Sequence, residues 1–218
     1  MKQQTIVALS LILFIALFAG AATVYNSQKS SELSSAAQEK NQYLQRDDSP
    51  TTGPAEARVT IVEFFDPACE TCKSFHPFVK KLMADNHGKV NLVLRYVPLH
   101  PGSDEVIKIL EAARLQNLFW ETLDTTFRTQ SSWAINHQAD ASKLLVRLGS
   151  VGLDMTQLRQ DMQRPEIAKR IQRDMADAQQ LQVSKTPGYF VNGKPLIRFG
   201  YQQLQDLVES EVANSYTP

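Results

Sequence analysis

Cysteine is scarce in this chain, with two among 218 residues. So few cysteines exclude a disulfide-dense scaffold and a zinc site built from cysteines alone. An excess of charge of either sign is also lacking, because 23 Lys and Arg offset 23 Asp and Glu. No basic surface for nucleic acid is therefore indicated. The glycine-rich phosphate-binding motifs, H-E-x-x-H and G-x-S-x-G are all missing, so the sequence has no signature of a nucleotide, zinc-protease or serine-hydrolase site.

The N-terminus has the first informative pattern. No charged residue occurs between Lys2 and Lys29, and the stretch from Ile6 to Ala22 is almost entirely apolar. A positive start, an apolar run and small residues are typical of a cleavable signal peptide. The same run, extended to Tyr25, has about 20 residues and is long enough to span a bilayer. We predict export, with residues 1–25 as a signal peptide or a transmembrane anchor.

A polar stretch follows this apolar segment. Residues 26–57 are rich in Ser, Gln, Glu, Lys and Asp and contain few large apolar side chains. Such a composition buries too little surface to offset the entropy of ordering, which predicts a flexible linker over 26–57. Because a long arm suits a domain held at a membrane, we favour the anchor over the cleaved signal. The predicted location is periplasmic or otherwise extracytoplasmic, at the outer side of the cytoplasmic membrane.

From residue 58 onward, strand-like and helix-like patterns alternate, which predicts an α/β domain over 58–218. A β-branched and aromatic run, Val59 to Phe65, is typical of a buried strand. Later, Asn192-Gly193 predicts a hairpin turn. The predicted order is a strand over 59–65, a helix over 69–86, a strand over 90–99, a helical block over about 103–182, a hairpin at 188–199 and a final helix from 201.

The chemistry-bearing motif is Cys69-Glu70-Thr71-Cys72, which contains both cysteines and lies between the first strand and the following helix. One helical turn brings the two sulfurs together, so a disulfide can open and close with little backbone change. The free N–H groups at a helix start stabilise a thiolate at Cys69. Cys72 lies one turn deeper and is predicted to be the shielded, resolving sulfur.

Three other uses of two cysteines fit the sequence less well. A zinc site needs two further ligands, and the four histidines include no H-x(3–5)-H pair. Covalent haem attachment needs a histidine directly after the second cysteine, where Lys73 stands. A structural disulfide across four residues would constrain little chain entropy. We therefore predict a redox-active pair with no metal and no cofactor.

Several segments resemble one family. The active-site segment, Phe64 to Lys73, is similar to that of DsbA-like thioredoxin-fold thiol:disulfide oxidoreductases, which are exported bacterial proteins. Ser184 to Gly193 resembles the cis-proline loop and hairpin of that family, and Phe119-Trp120-Glu121 resembles part of its helical insertion. The resemblance implies an α/β thioredoxin fold, interrupted by an inserted helical domain over about 103–182.

The resemblance also implies roles for individual residues. The Thr186–Pro187 bond is expected to be cis, and these two residues are expected to hold the substrate chain beside the sulfurs. Glu63 matches the position of the family's buried acid and is the expected proton acceptor for Cys72. A strand glutamate more often faces solvent at a sheet edge, and the sequence alone leaves both arrangements open.

The predicted function is thiol–disulfide exchange with protein thiols, most directly the formation of disulfides in exported proteins. The resemblance further implies reoxidation by a membrane redox partner of the DsbB type. The dipeptide Glu70-Thr71 departs from the family's Pro-His and Gly-Pro, and both residues are predicted to tune the redox potential. A reductase or isomerase of the same fold, and a non-catalytic peptide-binding chaperone module, stay open as alternatives.

Overall fold

The computed structural model describes residues 41–217, and residues 43–217 form one compact unit. The predicted signal or anchor segment, 1–25, and the first part of the predicted linker lie outside the described residues. Within 41–217, none of the helices has the length and apolar character needed to cross a bilayer.

A five-stranded mixed sheet forms the centre of the unit. Its strands are β1 (Thr51–Thr52), β2 (Val59–Phe65), β3 (Val90–Tyr96), β6 (Gly188–Val191) and β7 (Lys194–Pro195), and a separate ribbon consists of β4 (Ala134–Ile135) and β5 (Gln138–Ala139). The strand order is β1-β3-β2-β6-β7. The central pair, β2 and β3, is parallel, and the other neighbours in the sheet are antiparallel. The hairpin predicted at Asn192-Gly193 is confirmed, because it joins β6 to β7.

Seven helices follow β2 within the described residues, and five of them lie between β3 and β6. They are α1 (Glu70–Asp85), α2 (Ser103–Leu115), α3 (Phe119–Arg128), α4 (Ala141–Arg147), α5 (Met155–Asp161), α6 (Pro165–Gln180) and α7 (Tyr201–Tyr216). Two short 3-10 turns, Gln130–Ser132 and Leu148–Ser150, link helices of the central block. This arrangement is the predicted α/β thioredoxin fold with a helical insertion.

The strand β2 is buried on both faces, because its side chains alternate between two apolar layers. Ile61 and Phe65 pack on one face in the same cluster as Phe75 of α1. Val62 and Phe64 pack on the opposite face. Burying one such side chain contributes about 1.5–3 kcal/mol, so β2 is held firmly between the two apolar layers. Cys69 follows this strand after the three residues 66–68.

The predicted linker, 26–57, is wrong over its last part, because residues 43–57 belong to the folded unit. Leu44 is buried in the apolar layer that contains Phe64. Arg46 donates two hydrogen bonds to the Asp177 carboxylate, at 2.9 and 2.6 Å. Thr51 and Thr52 pair with β3. The polar residues of this stretch are thus held by partners far away in the sequence.

A buried cation fixes the start of the unit. Arg95 is fully buried, and its guanidinium donates to Asp174 at 2.8 Å and to Asp177 at 2.5 Å. It also donates to the backbone carbonyls of Tyr43 and Leu44, at 2.7 and 2.9 Å. Because an unpaired charge is costly in the interior, this network binds β3, α6 and the first residues of the unit together.

Candidate active site

The two cysteines lie where β2 leads into α1. The loop 66–69 joins the strand to the helix, and Cys69 is the N-cap residue of α1 with an extended backbone, φ −72° and ψ 121°. The Cys69 side chain keeps slight access to solvent, at 7% exposed, whereas Cys72 is fully buried. Both cysteines carry free thiols. The outer and inner positions predicted for Cys69 and Cys72 agree with this geometry.

The surroundings of Cys69 favour its thiolate. A hydrogen bond from the Cys72 thiol is the largest influence, and the Thr186 side chain and the backbone N–H groups of Cys72 and Thr71 add to it. Burial opposes ionisation, yet the balance lowers the pKa of Cys69 to about 5. Thr71 therefore acts on the sulfur through its backbone N–H. In the thiol form, Cys69 Sγ donates to the Thr186 carbonyl at 3.3 Å.

Cys72 has the opposite character. Burial raises the pKa of its thiol well above the ordinary value, and its hydrogen bond to Cys69 and the nearby Glu63 add to the shift. A sulfur held in this way stays protonated at neutral pH and is a poor nucleophile until a base takes its proton. The two thiols, three residues apart, thus differ greatly in acidity.

Glu63 lies in the middle of β2, with β3 on one side and β6 on the other. The alternative of a solvent-facing edge position is therefore wrong, and Glu63 is 3% exposed. Burial, followed by the negative charge of nearby Cys69, raises the pKa of Glu63 to about 8. Tyr189 stands directly opposite Glu63 in the β2–β6 ladder. The buried Tyr189 hydroxyl partly opposes the rise of the Glu63 pKa. Within residues 41–217 this hydroxyl has no partner at hydrogen-bond geometry.

The Thr186–Pro187 bond is cis, which confirms the expectation from the resemblance. An open groove of about 590 Å³ begins beside it and runs along the loop that follows β7. Its walls include Thr71, Pro187 and Leu196 together with the exposed side chains of Ile197 and Phe199. An extended apolar chain could lie in this groove next to Cys69, because Thr186 contacts both the groove and the sulfur.

Asp66, directly after β2, is a further residue of the site, and no motif in the sequence predicts a role for it. Its fully buried carboxylate accepts hydrogen bonds from the N–H of Ala68 at 2.8 Å and from Ser103 Oγ at 2.6 Å. It also accepts from the backbone N–H groups of Leu99 and His100, and it bonds the His100 ring at 2.7 Å. Asp66 thereby ties the active-site loop to the loop that follows β3.

Thiol–disulfide exchange is the chemistry that two neighbouring sulfurs of unequal acidity perform. The fold and the cysteine pair at the start of α1 together define a thioredoxin-like domain. A profile of the family described as Thioredoxin matches residues 45–210. The chain therefore belongs to the thioredoxin family.

Solved structures with the same fold include a thioredoxin-like oxidoreductase from Silicibacter pomeroyi DSS-3. It is 33% identical, with a TM-score of 0.66, and the match covers 76% of this chain and 92% of that one. Oxidised BdbD from Bacillus subtilis is 24% identical, with a TM-score of 0.66 over 75% of this chain and 92% of that one. The catalytic domain of Proteus mirabilis ScsC is 18% identical, with a TM-score of 0.68 over 82% and 98%. The last two show similarity of fold.

Curated relatives match a similar part of the chain. A Na(+)/H(+) antiporter NhaA from Herminiimonas arsenicoxydans is 31% identical over 144 residues, which are 66% of this chain and 22% of the relative. NhaA 3 from Salinispora tropica is 35% identical over 145 residues, 65% of this chain and 21% of the relative. The chain thus matches about a fifth of the length of these relatives, and the similarity concerns that part alone.

Proposed function

We propose that this protein forms disulfides in exported proteins, with Cys69 as the sulfur that exchanges with substrate and Cys72 as the inner partner. The observation that carries the proposal is the unequal acidity of the two thiols: the pKa of Cys69 is lowered to about 5 and that of Cys72 is raised. A stabilised thiolate favours the reduced form of the pair, so its disulfide is an oxidant.

The oxidising reaction needs two exchange steps. A substrate thiolate attacks Cys69 Sγ of the disulfide, the bond between Cys69 and Cys72 breaks, and its electron pair leaves with Cys72. A second substrate thiolate then attacks the substrate sulfur of the mixed disulfide, and Cys69 leaves as a thiolate. The substrate gives up two electrons and the cysteine pair takes them. The second step is favourable because a thiol of low pKa is a good leaving group.

Glu63 is proposed to transfer a proton to and from the Cys72 sulfur. Its carboxyl is close enough for its charge to raise the pKa of Cys72, and it is neutral below a pKa of about 8. When Cys72 leaves with the electron pair, neutral Glu63 can supply a proton to it; in the reverse direction, the carboxylate can remove that proton. Replacing Glu63 by Gln would then slow the steps in which Cys72 takes part and spare the attack at Cys69.

Thr186 and Pro187 are proposed to bind the substrate chain. The Thr186 carbonyl lies 3.3 Å from Cys69 Sγ, and an incoming chain can pair with this backbone as an added strand. The apolar walls of the neighbouring groove suit the unfolded segments in which reduced cysteines occur. Protein thiols, rather than small thiols, are therefore the proposed substrates.

Export and attachment to the membrane are proposed from the charge-free run before Lys29, together with a DsbB-type membrane partner for reoxidation. A reporter enzyme that is active only outside the cytoplasm, fused after the last residue, tests the topology. Activity of the fusion would support export, and an inactive fusion would contradict it. A mature N-terminus at about Ala22 would contradict the anchor and leave export intact.

Two assays test whether the protein oxidises or reduces its substrates, because electrons flow in opposite directions in them. The oxidised protein should restore activity to reduced, unfolded ribonuclease at a rate well above its catalysis of insulin reduction. Cys69→Ala should abolish both activities. Cys72→Ala should trap a mixed disulfide with insulin, because Cys69 can attack the insulin disulfide and no inner thiol remains to resolve the product. Faster insulin reduction than ribonuclease oxidation would identify a reductase. Wild-type rates no higher than those of Cys69→Ala would indicate a module without redox catalysis.

A further inference from the structure

One buried side chain of the helical insertion reaches the backbone of the active-site loop. Gln130 follows α3, in the turn Gln130–Ser132, and is 2% exposed. Its Nε2 donates to the Pro67 carbonyl at 2.8 Å and to the Cys69 carbonyl at 3.0 Å. Both protons of this amide group are therefore used on the loop that carries the outer sulfur.

The bonds from Gln130 add to other hydrogen bonds that hold the backbone of Cys69 in place. Its backbone N–H donates to the Asp66 carbonyl at 3.0 Å, and its carbonyl also accepts from the Lys73 N–H at 3.1 Å. Pro67 has no N–H, so its carbonyl is the backbone polar group through which this residue can be held. Gln130 supplies the donor for that carbonyl and a second donor for the Cys69 carbonyl.

The orientation of the Cys69 peptide groups decides where its sulfur lies relative to the first N–H groups of α1. Those of Thr71 and Cys72 stabilise the thiolate, and such bonds weaken steeply when their angle worsens. We propose that Gln130 is a positioning residue for thiol–disulfide exchange, which holds the loop so that the Cys69 sulfur faces these donors. Through Gln130, the helical insertion contributes directly to the geometry of the redox site.

This inference rests on the proposed role of Cys69 as the exchanging sulfur, but it does not depend on the direction of electron flow. It predicts that loss of the Gln130 amide moves the pH at which Cys69 becomes reactive. A side chain that merely fills space would change the stability of the protein and leave that pH unchanged.

Gln130→Met in the full chain is the test, because Met has a similar length and lacks the amide donors. Gln116→Met is the matched control: the Gln116 amide also holds a loop of the insertion, through the N–H and carbonyl of Asp154 at 2.8 and 3.1 Å. The measurement is the rate of Cys69 alkylation against pH in the reduced protein, read from the labelled peptide. Thermal unfolding of each variant identifies the temperature at which all of them are folded.

In Gln130→Met, the midpoint of the alkylation profile should rise by about one pH unit, which is about a tenfold loss of rate below the wild-type midpoint. The Gln116→Met profile should match the wild type. The reduction potential of Gln130→Met should also become more negative. An unchanged midpoint in Gln130→Met, whatever its stability, would overturn the inference.

A second variant, Gln130→Asn, serves where Gln130→Met does not fold. It keeps the amide but is one methylene too short to reach both carbonyls, so a rise of the midpoint is again expected. A wild-type midpoint in the Gln130→Asn variant would overturn the inference. Failure of the proposed oxidising function is a separate outcome, because it appears in the potential of the wild-type protein and leaves the difference between wild type and variant intact.

Discussion

Replacing Glu63 by Gln is expected to stabilise the reduced protein at neutral pH, although it removes a group proposed for catalysis. Burial raises the pKa of this carboxyl from 4.5 to about 8. At pH 7 the folded protein therefore keeps a proton that the unfolded chain has released. The folded state binds more protons than the unfolded state between these two values, so stability falls as the pH rises through this range.

The loss of folding stability caused by Glu63 depends on how far the pH lies above 4.5, the pKa of this carboxyl in the unfolded chain. Each pH unit above 4.5 costs about 1.4 kcal/mol until the folded carboxyl ionises near pH 8, so that about 3 kcal/mol is lost at pH 7. Below pH 4.5 the carboxyl is neutral in both states and costs nothing. A Gln at this position is neutral at every pH and avoids the loss.

Urea unfolding of the reduced protein at pH 4 and pH 7 measures this difference. Glu63→Gln should be more stable than wild type by about 3 kcal/mol at pH 7 and about equal to it at pH 4. Glu70→Gln is the matched control, since Glu70 is exposed at the start of α1 and should change stability by less than about 0.5 kcal/mol.

The same variant should resolve its mixed disulfide with substrate more slowly than wild type. A stability difference that is the same at pH 4 and pH 7 would refute the reasoning, because it would mean that the folded protein does not hold Glu63 neutral. Unchanged resolution together with the expected stability change would leave Glu63 buried but without a role in proton transfer.

Three further predictions concern the sulfurs and the buried cation. Iodoacetamide at about pH 6 should modify Cys69 before Cys72, because the pKa of Cys69 is about 5 and Cys72 is buried; peptide mass spectrometry checks the order, and earlier labelling of Cys72 would contradict it. Asp174→Ala should destabilise the protein by about 3–5 kcal/mol in urea unfolding, because it removes a partner of buried Arg95, and a loss below about 1 kcal/mol would refute this account. Glu70→His should shift the reduction potential positive by about 20 mV, equivalent to about 1 kcal/mol, in glutathione equilibration, and an unchanged potential would show that Glu70 does not tune the pair.

The sequence predicted those parts of the fold that local patterns determine. The apolar run at Val59 to Phe65, the cysteine motif at a helix start and the turn at Asn192-Gly193 each have a short-range signature, and each occurs where expected. The cis bond before Pro187 was predictable through the resemblance alone. Most X-Pro bonds are trans, and no local pattern here distinguishes this one.

The parts that the sequence did not predict depend on contacts between distant residues. Arg46 and Asp177 are 131 positions apart, and without that pairing the stretch before residue 58 has the composition of a linker. Gln130 and Pro67 are 63 positions apart, and nothing in the sequence around Gln130 distinguishes it from a surface glutamine. Asp66 lies within the segment Phe64 to Lys73 that resembles the family, but its hydrogen bonds reach a loop more than 30 positions away.

The equilibrium reduction potential of the wild-type protein tests the central claim most directly. The pKa of Cys69, about 5, lies between values of about 3.5 for DsbA and about 7 for thioredoxin, so the disulfide should be intermediate in oxidising strength. Equilibration in glutathione buffers, with the oxidised fraction quantified, should give a potential between about −120 mV and about −270 mV. A potential at or below about −270 mV would contradict the account, because the pair would then be a reductant like thioredoxin and not a donor of disulfides.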